Sequence, residues 1–170
     1  VNALIRAESP GDVAAIRAVN ERAFGGAGEA NAIEQLRARG QATISLIAQV
    51  EGQVVGHIFF SPVTLEMAHG ALAGLGLAPL AVLPEFQRRG LGSQLARAGL
   101  KACRELGGEF VVVLGHSGYY PRFGFVRASA FGLRCEWEVP DPAFMALELM
   151  PGALAGRAGV VKYQPEWSGG

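Results

Sequence analysis

One stretch limits the possible folds more than any other. The apolar run "GLGLAPLAV" (Gly74 to Val82) stops at Leu83-Pro84, passes through "QRRGLG" (Gln87 to Gly92), and gives way to a helical pattern, "SQLARAGLKACREL". On that helix Leu91, Leu95, Cys103 and Leu106 are expected inward, with Arg97, Lys101 and Arg104 on an outer face and Gly107-Gly108 as the stop. "FVVVL" (Phe110 to Leu114) follows, apolar throughout, as a strand covered on both faces requires. Strand, helix and strand in this order favour a parallel central pair joined by a right-handed crossover.

The flanking segments fit around that unit. "LIRA" (Leu4 to Ala7) reads as a short strand. A helix follows, capped by Ser9 or Asp12, with Val13, Ile16, Val19 and Phe24 on one face. A second helix turns Ile33 and Leu36 inward and stops at Gly40. "TISLIAQVEGQVVGHIFF" is two β-rich runs around Glu51-Gly52, a hairpin. A short helix and the strands "LRCEWEV", "FMALEL" and "GVVKY" complete the chain. The expected class is mixed α/β. With 170 residues and no linker, repeat or low-complexity block, one domain spanning 1–170 is expected.

Composition excludes several classes. Half the residues are apolar and 18% are charged, which is globular rather than disordered. Fifteen basic residues balance fifteen acidic ones, so nothing global attracts nucleic acid or an anionic membrane. No segment reaches the roughly 18 apolar residues of a membrane span, and the start lacks a signal pattern; a soluble, cytoplasmic protein is expected. Cys103 and Cys135 have no metal-ligand spacing and read as two buried thiols in a reducing cytosol; no metal is expected.

The "QRRGLG" turn is where chemistry enters. The first amides of a helix have no internal partner and carry the positive end of its dipole. Gly90 and Gly92 have no Cβ, so a phosphate can approach the backbone; Arg88 and Arg89 add charge and Ser93 a hydroxyl. A nucleotide P-loop needs Lys after its last Gly, but Ser93 follows Gly92. A dinucleotide fingerprint needs a third glycine, where Leu95 stands. The geometry suits a pyrophosphate of another kind.

The run Val82 to Gly92, "VLPEFQRRGLG", resembles the acyl-CoA signature of the GNAT N-acetyltransferases, Q/R-x-x-G-x-G/A. "YYPRFGF" (Tyr119 to Phe125) is similar to that family's Tyr-x-x-x-Gly-Phe segment, and the tail resembles a bacterial subfamily of small acetyltransferases. The resemblance implies a centrally splayed mixed sheet flanked by helices. It implies acetyl-CoA as co-substrate, its pantetheine arm on main-chain groups of Leu80, Ala81 and Val82, and its diphosphate on Gln87, Arg88, Arg89, Gly90, Leu91, Gly92 and Ser93. Independently, Pro79 inside the strand has no N–H, so ladder pairing fails there or lies at an edge.

The implied reaction moves an acetyl group from a thioester to a primary amine of a small molecule or protein. By its spacing from Gly124, Tyr120 matches the family's general acid, with Tyr119 as its neighbour; packing is the other reading of both rings. The base stays open. His116 follows the strand Phe110 to Leu114, where an imidazole can point into a cleft and move a proton, or is held by local hydrogen bonds. Glu29 lies where the family's helix-side carboxylates meet the amine, or on a helix surface; a water relay can also serve. His57 reads as packed, Glu66 and His69 as solvated, and Arg122 as a phosphate contact or a snorkelling side chain. A non-catalytic acyl-CoA sensor and a nucleotide-phosphate binder are the competing readings. Homodimers occur in such proteins, and the apolar composition permits one.

Overall fold

The computed structural model describes residues 2–169. They fall into two compact units, residues 2–61 with 78–102, and residues 62–77 with 103–169. Among the described residues the expected strand–helix–strand motif forms, and the class is mixed α/β with nine strands in one sheet.

In the first unit β1 (Leu4–Ala7) lies antiparallel to β2 (Ile44–Val50), with Leu4 opposite Gln49. The β2–β3 hairpin turns at Glu51 and Gly52, which both take positive φ (49° and 79°), as its two-residue loop demands; β3 covers Gln53–Glu66. Helix α1 (Val13–Phe24) buries Ile16, Val19 and Asn20, and α2 (Gly28–Ala38) buries Ala30, Ala32, Ile33 and Leu36. The long helix α3 (Leu91–Glu105) buries Leu91, Leu95, Ala96 and Leu100. It comes so close to β3 that a Cβ on Gly99 would sit 2.6 Å from the Phe60 ring.

Two expected core positions are not core. Phe24 is 43% exposed, because it is the last residue of α1 and Gly25 turns the chain left-handed directly after it. Leu106 is 61% exposed, since α3 ends at Glu105 and Gly107 (φ 81°) turns the chain away.

In the second unit the start of β4 (Ala71–Val82) pairs in parallel with β5 (Phe110–Leu114), and α3 is the crossover between them. Strand β6 (Val126–Arg127) and β8 (Phe144–Glu148) run antiparallel to each other, and β8 also lies antiparallel to β5. Strand β7 (Leu133–Cys135) is parallel to β9 (Gly159–Lys162), which pairs antiparallel with the end of β3. Phe110, Val112, Phe144, Ala146, Leu133 and Val161 join one core with Val63 and Leu65. All four residues Gly74–Leu77 of β4 are buried, as strands covered on both faces are.

A chain of polar groups crosses the first unit. Arg37 donates to both Glu8 oxygens (2.9 and 3.0 Å), and Ser45 Oγ donates to Glu8. His57 Nε2 lies 2.8 Å from Ser45 Oγ, and Asn20 Nδ2 lies 3.1 Å from His57 Nδ1 and donates to Ile16 O. Each hydrogen is accounted for if His57 carries its proton on Nε2 and donates to Ser45. Burial holds the His57 pKa down to about 3, so the ring is neutral; this is the packed histidine the sequence suggested. Burial pushes the Glu8 carboxyl up, but hydrogen bonds from Arg37 and Ser45 outweigh it and bring it below its ordinary value.

A neutral buried histidine makes stability depend on pH. Unfolding returns the ring to its ordinary pKa near 6.5, so the unfolded chain takes up a proton that the folded chain refuses until about pH 3. Stability is complete above pH 6.5 and is lost as pH falls through this window. The thermal midpoint is expected to drop between pH 7 and pH 5, and His57→Gln to flatten that slope; an equal slope in both proteins would assign the loss to other groups.

Candidate active site

The parallel ladder of β4 and β5 is short. It runs from Leu75–Val111 to Leu77–Val113, and Ala78–Val82 leave it. Pro79, without an N–H, sits just past the last pair, as its sequence position suggested. Burial changes at the same place. Pro79, Ala81 and Leu83 remain buried, while Ala78, Leu80 and Val82 become half-exposed. The Leu83 N–H donates to Val55 O at 2.8 Å, which fixes where the strand ends.

Between β4 and α3 the chain makes a short turn, Pro84–Phe86, closed by Phe86 N–H on Leu83 O (2.8 Å). Gln87 Nε2 donates back to Val82 O at 2.9 Å and braces the loop. Arg88 then takes a left-handed φ of 63°, unusual for a residue with a Cβ, and Gly90 takes 81°. A Cβ on Gly90 would meet nothing within 4 Å, so the backbone there is open to an approaching group. The first full helical bond is Gln94 N–H on Gly90 O (3.1 Å), so the amides of Gly90, Leu91 and Gly92 lie ahead of any carbonyl one turn back.

The charges around this turn agree with its dipole. Arg88 and Arg89 are exposed, and among the described residues neither is ion-paired; Arg89 rests on the Phe86 ring at 5.3 Å. The one carboxylate of the turn, Glu85, is bound by Arg22 at 2.8 Å. Positive helix end, two cations and an open glycine together make an anion cradle.

In the second unit, the chain after β5 forms an aromatic knot. Tyr119, Tyr120 and Phe123 meet edge to face at 5.1 to 6.3 Å, and Tyr120 meets Phe125 at 5.8 Å. Tyr120 starts a 3-10 turn, Tyr120–Phe123, that Gly124 ends at φ 101°. Its ring lies on Gly115: a Cβ there would come within 2.4 Å of it. Burial, with Tyr119 adding to it, pushes the Tyr120 phenol up to about 12, so it stays protonated across the physiological range.

A family model described as an acetyltransferase (GNAT) domain matches residues 5–128. The chain belongs to the GNAT family of N-acetyltransferases. It is 39% identical over 166 residues to the uncharacterized N-acetyltransferase YhbS of Escherichia coli K12, covering 97% of this chain and 98% of that one. The crystal structure of E. coli YhbS in complex with CoA superposes with a TM-score of 0.92 at 38% identity, covering 99% of this chain and 93% of the other. A GNAT acetyltransferase from Brucella melitensis, solved with acetyl-CoA, gives 0.80 at 36% identity over 98% of both chains.

The turn of this GNAT chain presents the open backbone at Gly90, the amides that follow and two exposed arginines. Other sequence candidates take varied places. His116 is exposed, and its carbonyl accepts from Tyr119 N–H (3.0 Å) and Tyr120 N–H (3.4 Å), so it helps shape the tyrosine turn. Glu29 is half-buried in the first turn of α2, where a carboxylate also complements the dipole. Arg122 lies 4.5 Å over the Tyr119 ring and donates to Tyr119 O at 2.8 Å. Glu66 and His69 are exposed, Glu66 as the last residue of β3. Cys103 is buried and Cys135 half-buried, and burial pushes both thiols up, which keeps them unreactive. Among the described residues no cluster has the makings of a metal site, and no helix is long and apolar enough to cross a membrane.

Sequence reasoning missed Gly115, because its role shows only once the Tyr120 ring lies over it. Gly115→Ala is expected to displace that ring and cost about 1–3 kcal/mol of stability. Gly118→Ala, where a Cβ meets nothing within 4 Å, is the control. Equal thermal midpoints for the two variants would show that the ring does not depend on this seat.

Proposed function

We propose that the protein transfers an acetyl group from acetyl-CoA to a primary amine by direct attack, with Tyr120 as general acid. The cradle at the head of α3 carries this reading: Arg88 and Gly90 hold left-handed backbone, and the first amides of the helix follow two exposed arginines. Relatives of high similarity have been solved with CoA and with acetyl-CoA, which supports that donor for this chain.

The chain's contributions follow from its groups. Amides of Gly90 to Gly92, Arg88, Arg89 and the Ser93 hydroxyl hold the diphosphate. Main-chain groups of Leu80, Ala81 and Val82, which lie past the β4–β5 ladder, hold the pantetheine arm, and an amide near Val82 meets the carbonyl oxygen as it gains charge. The neutral amine attacks the thioester carbonyl, a C–N bond forms, and the C–S bond breaks. Tyr120 delivers its proton to the departing sulfur, and the proton shed by nitrogen restores the phenol. The products are the amide and free CoA thiol. A phenol held at about 12 is always in its donor form at working pH, which suits an acid rather than a base. His116, Glu29 or a water chain takes the proton that frees the incoming ammonium.

Tyr120→Phe is expected to lower kcat by about a hundredfold with acetyl-CoA affinity unchanged, because the lost proton matters only in the transition state. Steady-state kinetics with calorimetry reads this, and unaltered turnover would strip Tyr120 of the role. Replacing Arg88 and Arg89 together by Ala is expected to weaken CoA binding about tenfold at low salt and less at high salt. Parent-like affinity at both salts would place the diphosphate elsewhere. If CoA binds but no amine in a broad panel is acetylated, the sensing role takes over.

A further inference from the structure

The turn ahead of α3, in the first unit, holds one carboxylate beside its cations. Glu85 lies just before Arg88 and Arg89 in the chain, yet among the described residues it pairs with neither. Its Oε1 accepts instead from Arg22 Nη2 at 2.8 Å, a residue 63 positions away. Arg22 stands in the last turn of α1, where a cation also suits the negative end of the helix. Gly25 closes that helix with its N–H on Glu21 O at 2.9 Å, so the backbone carrying Arg22 is fixed. The turn carrying Glu85 is fixed as well, by Leu83 N–H on Val55 O and Phe86 N–H on Leu83 O, both 2.8 Å.

Stability does not account for the pair. The two side chains are 52% and 49% exposed, and an ion pair so open to water adds little to a fold. What the pair changes is the local charge. A lone carboxylate in this turn would offset one of the two arginines and repel an incoming anion within a screening length of about 10 Å. Glu85 carries that charge at working pH. A hydrogen bond from its own backbone N–H, against a weaker effect of desolvation, and then one from Arg22 hold its carboxyl below the ordinary carboxylate range. Nothing on α1 competes for Arg22: Ala18, Val19, Gly25 and Gly26 occupy the positions three and four residues away.

We infer that Arg22 is a positioning residue for the donor: it binds Glu85, masks that charge, and leaves Arg88 and Arg89 both available to the CoA diphosphate. The inference rests on the reading that the diphosphate is held at this turn. Arg22 touches no part of the ligand and acts only through Glu85. This separates a mask from a strut. A strut is lost equally from either end of the pair, whereas a mask is lost only when Arg22 is removed and the Glu85 charge stays.

The test is calorimetric titration of the full chain with CoA at low and high salt. Arg22→Ala is expected to weaken CoA binding about threefold at low salt and by less than about 1.5-fold at high salt. Arg22→Lys, which keeps the charge, should stay within about twofold of wild type. Glu85→Gln breaks the same pair but removes the charge, so its affinity should equal or exceed that of wild type. Arg22→Ala combined with Glu85→Gln should return to the affinity of Glu85→Gln alone. Wild-type affinity in Arg22→Ala at low salt would overturn the inference. A double variant as weak as Arg22→Ala would also overturn it, since Arg22 would then meet the ligand directly. Equal losses in Arg22→Ala and Glu85→Gln would make the pair a strut and overturn it too. The parent reading fails separately: wild-type affinity after replacing Arg88 and Arg89 by Ala, or no CoA binding by the wild type, would remove the diphosphate from this turn and the inference with it.

Discussion

The short reach of the β4–β5 ladder governs the rest of the structure. Two strands that pair in parallel would ordinarily continue to do so, since each amide left out of a ladder must find another partner. Here pairing stops at Leu77–Val113, and Pro79 removes a donor just beyond it. From Gly74 to Leu77 β4 is buried on both faces; past that point alternate residues lose their cover. A strand that stops being covered halfway along its length is a poor element of a core and a good rest for an extended ligand. The following turn then only has to reach the head of α3, which the tie from Gln87 to Val82 O and the left-handed Arg88 accomplish within a few residues.

Much of this was legible in the chain, for a local reason. The strand, proline, paired arginines and spaced glycines lie within one short run, and each has a physical consequence that does not depend on distant residues. The Glu51-Gly52 hairpin, Leu4–Ala7, and Phe110–Leu114 were legible on the same ground. Helix ends were less so. Phe24 and Leu106 carry the right side chain at roughly the right spacing, but a left-handed glycine next to each takes the backbone off the helical path. Periodicity cannot register that.

The tail was legible as strands and illegible as pairs. Strand β7 has three residues and β9 four, and their parallel pairing joins segments far apart in the chain. Nothing in "LRCEWEV" or "GVVKY" says that Cys135 faces Val161 or that Trp137 will stack on Tyr163. The turn at the head of α3 is built from backbone and a contiguous motif, whereas Trp137 and Tyr163 are side chains brought together by the fold.

Two buried polar atoms lack partners among the described residues, Asn20 Oδ1 and Tyr163 Oη, and they are not equivalent. Asn20 uses both of its amide hydrogens, one on Ile16 O and one on His57 Nδ1. Its idle oxygen accompanies an amide that is needed: without it the neutral His57 ring would lose the donor that fixes its tautomer, and Ser45 and Glu8 would lose their order in turn. Leucine could not replace it without leaving His57 unmatched. The Tyr163 hydroxyl belongs instead to a ring held by its stack on Trp137 and by the space that Gly76 leaves for it.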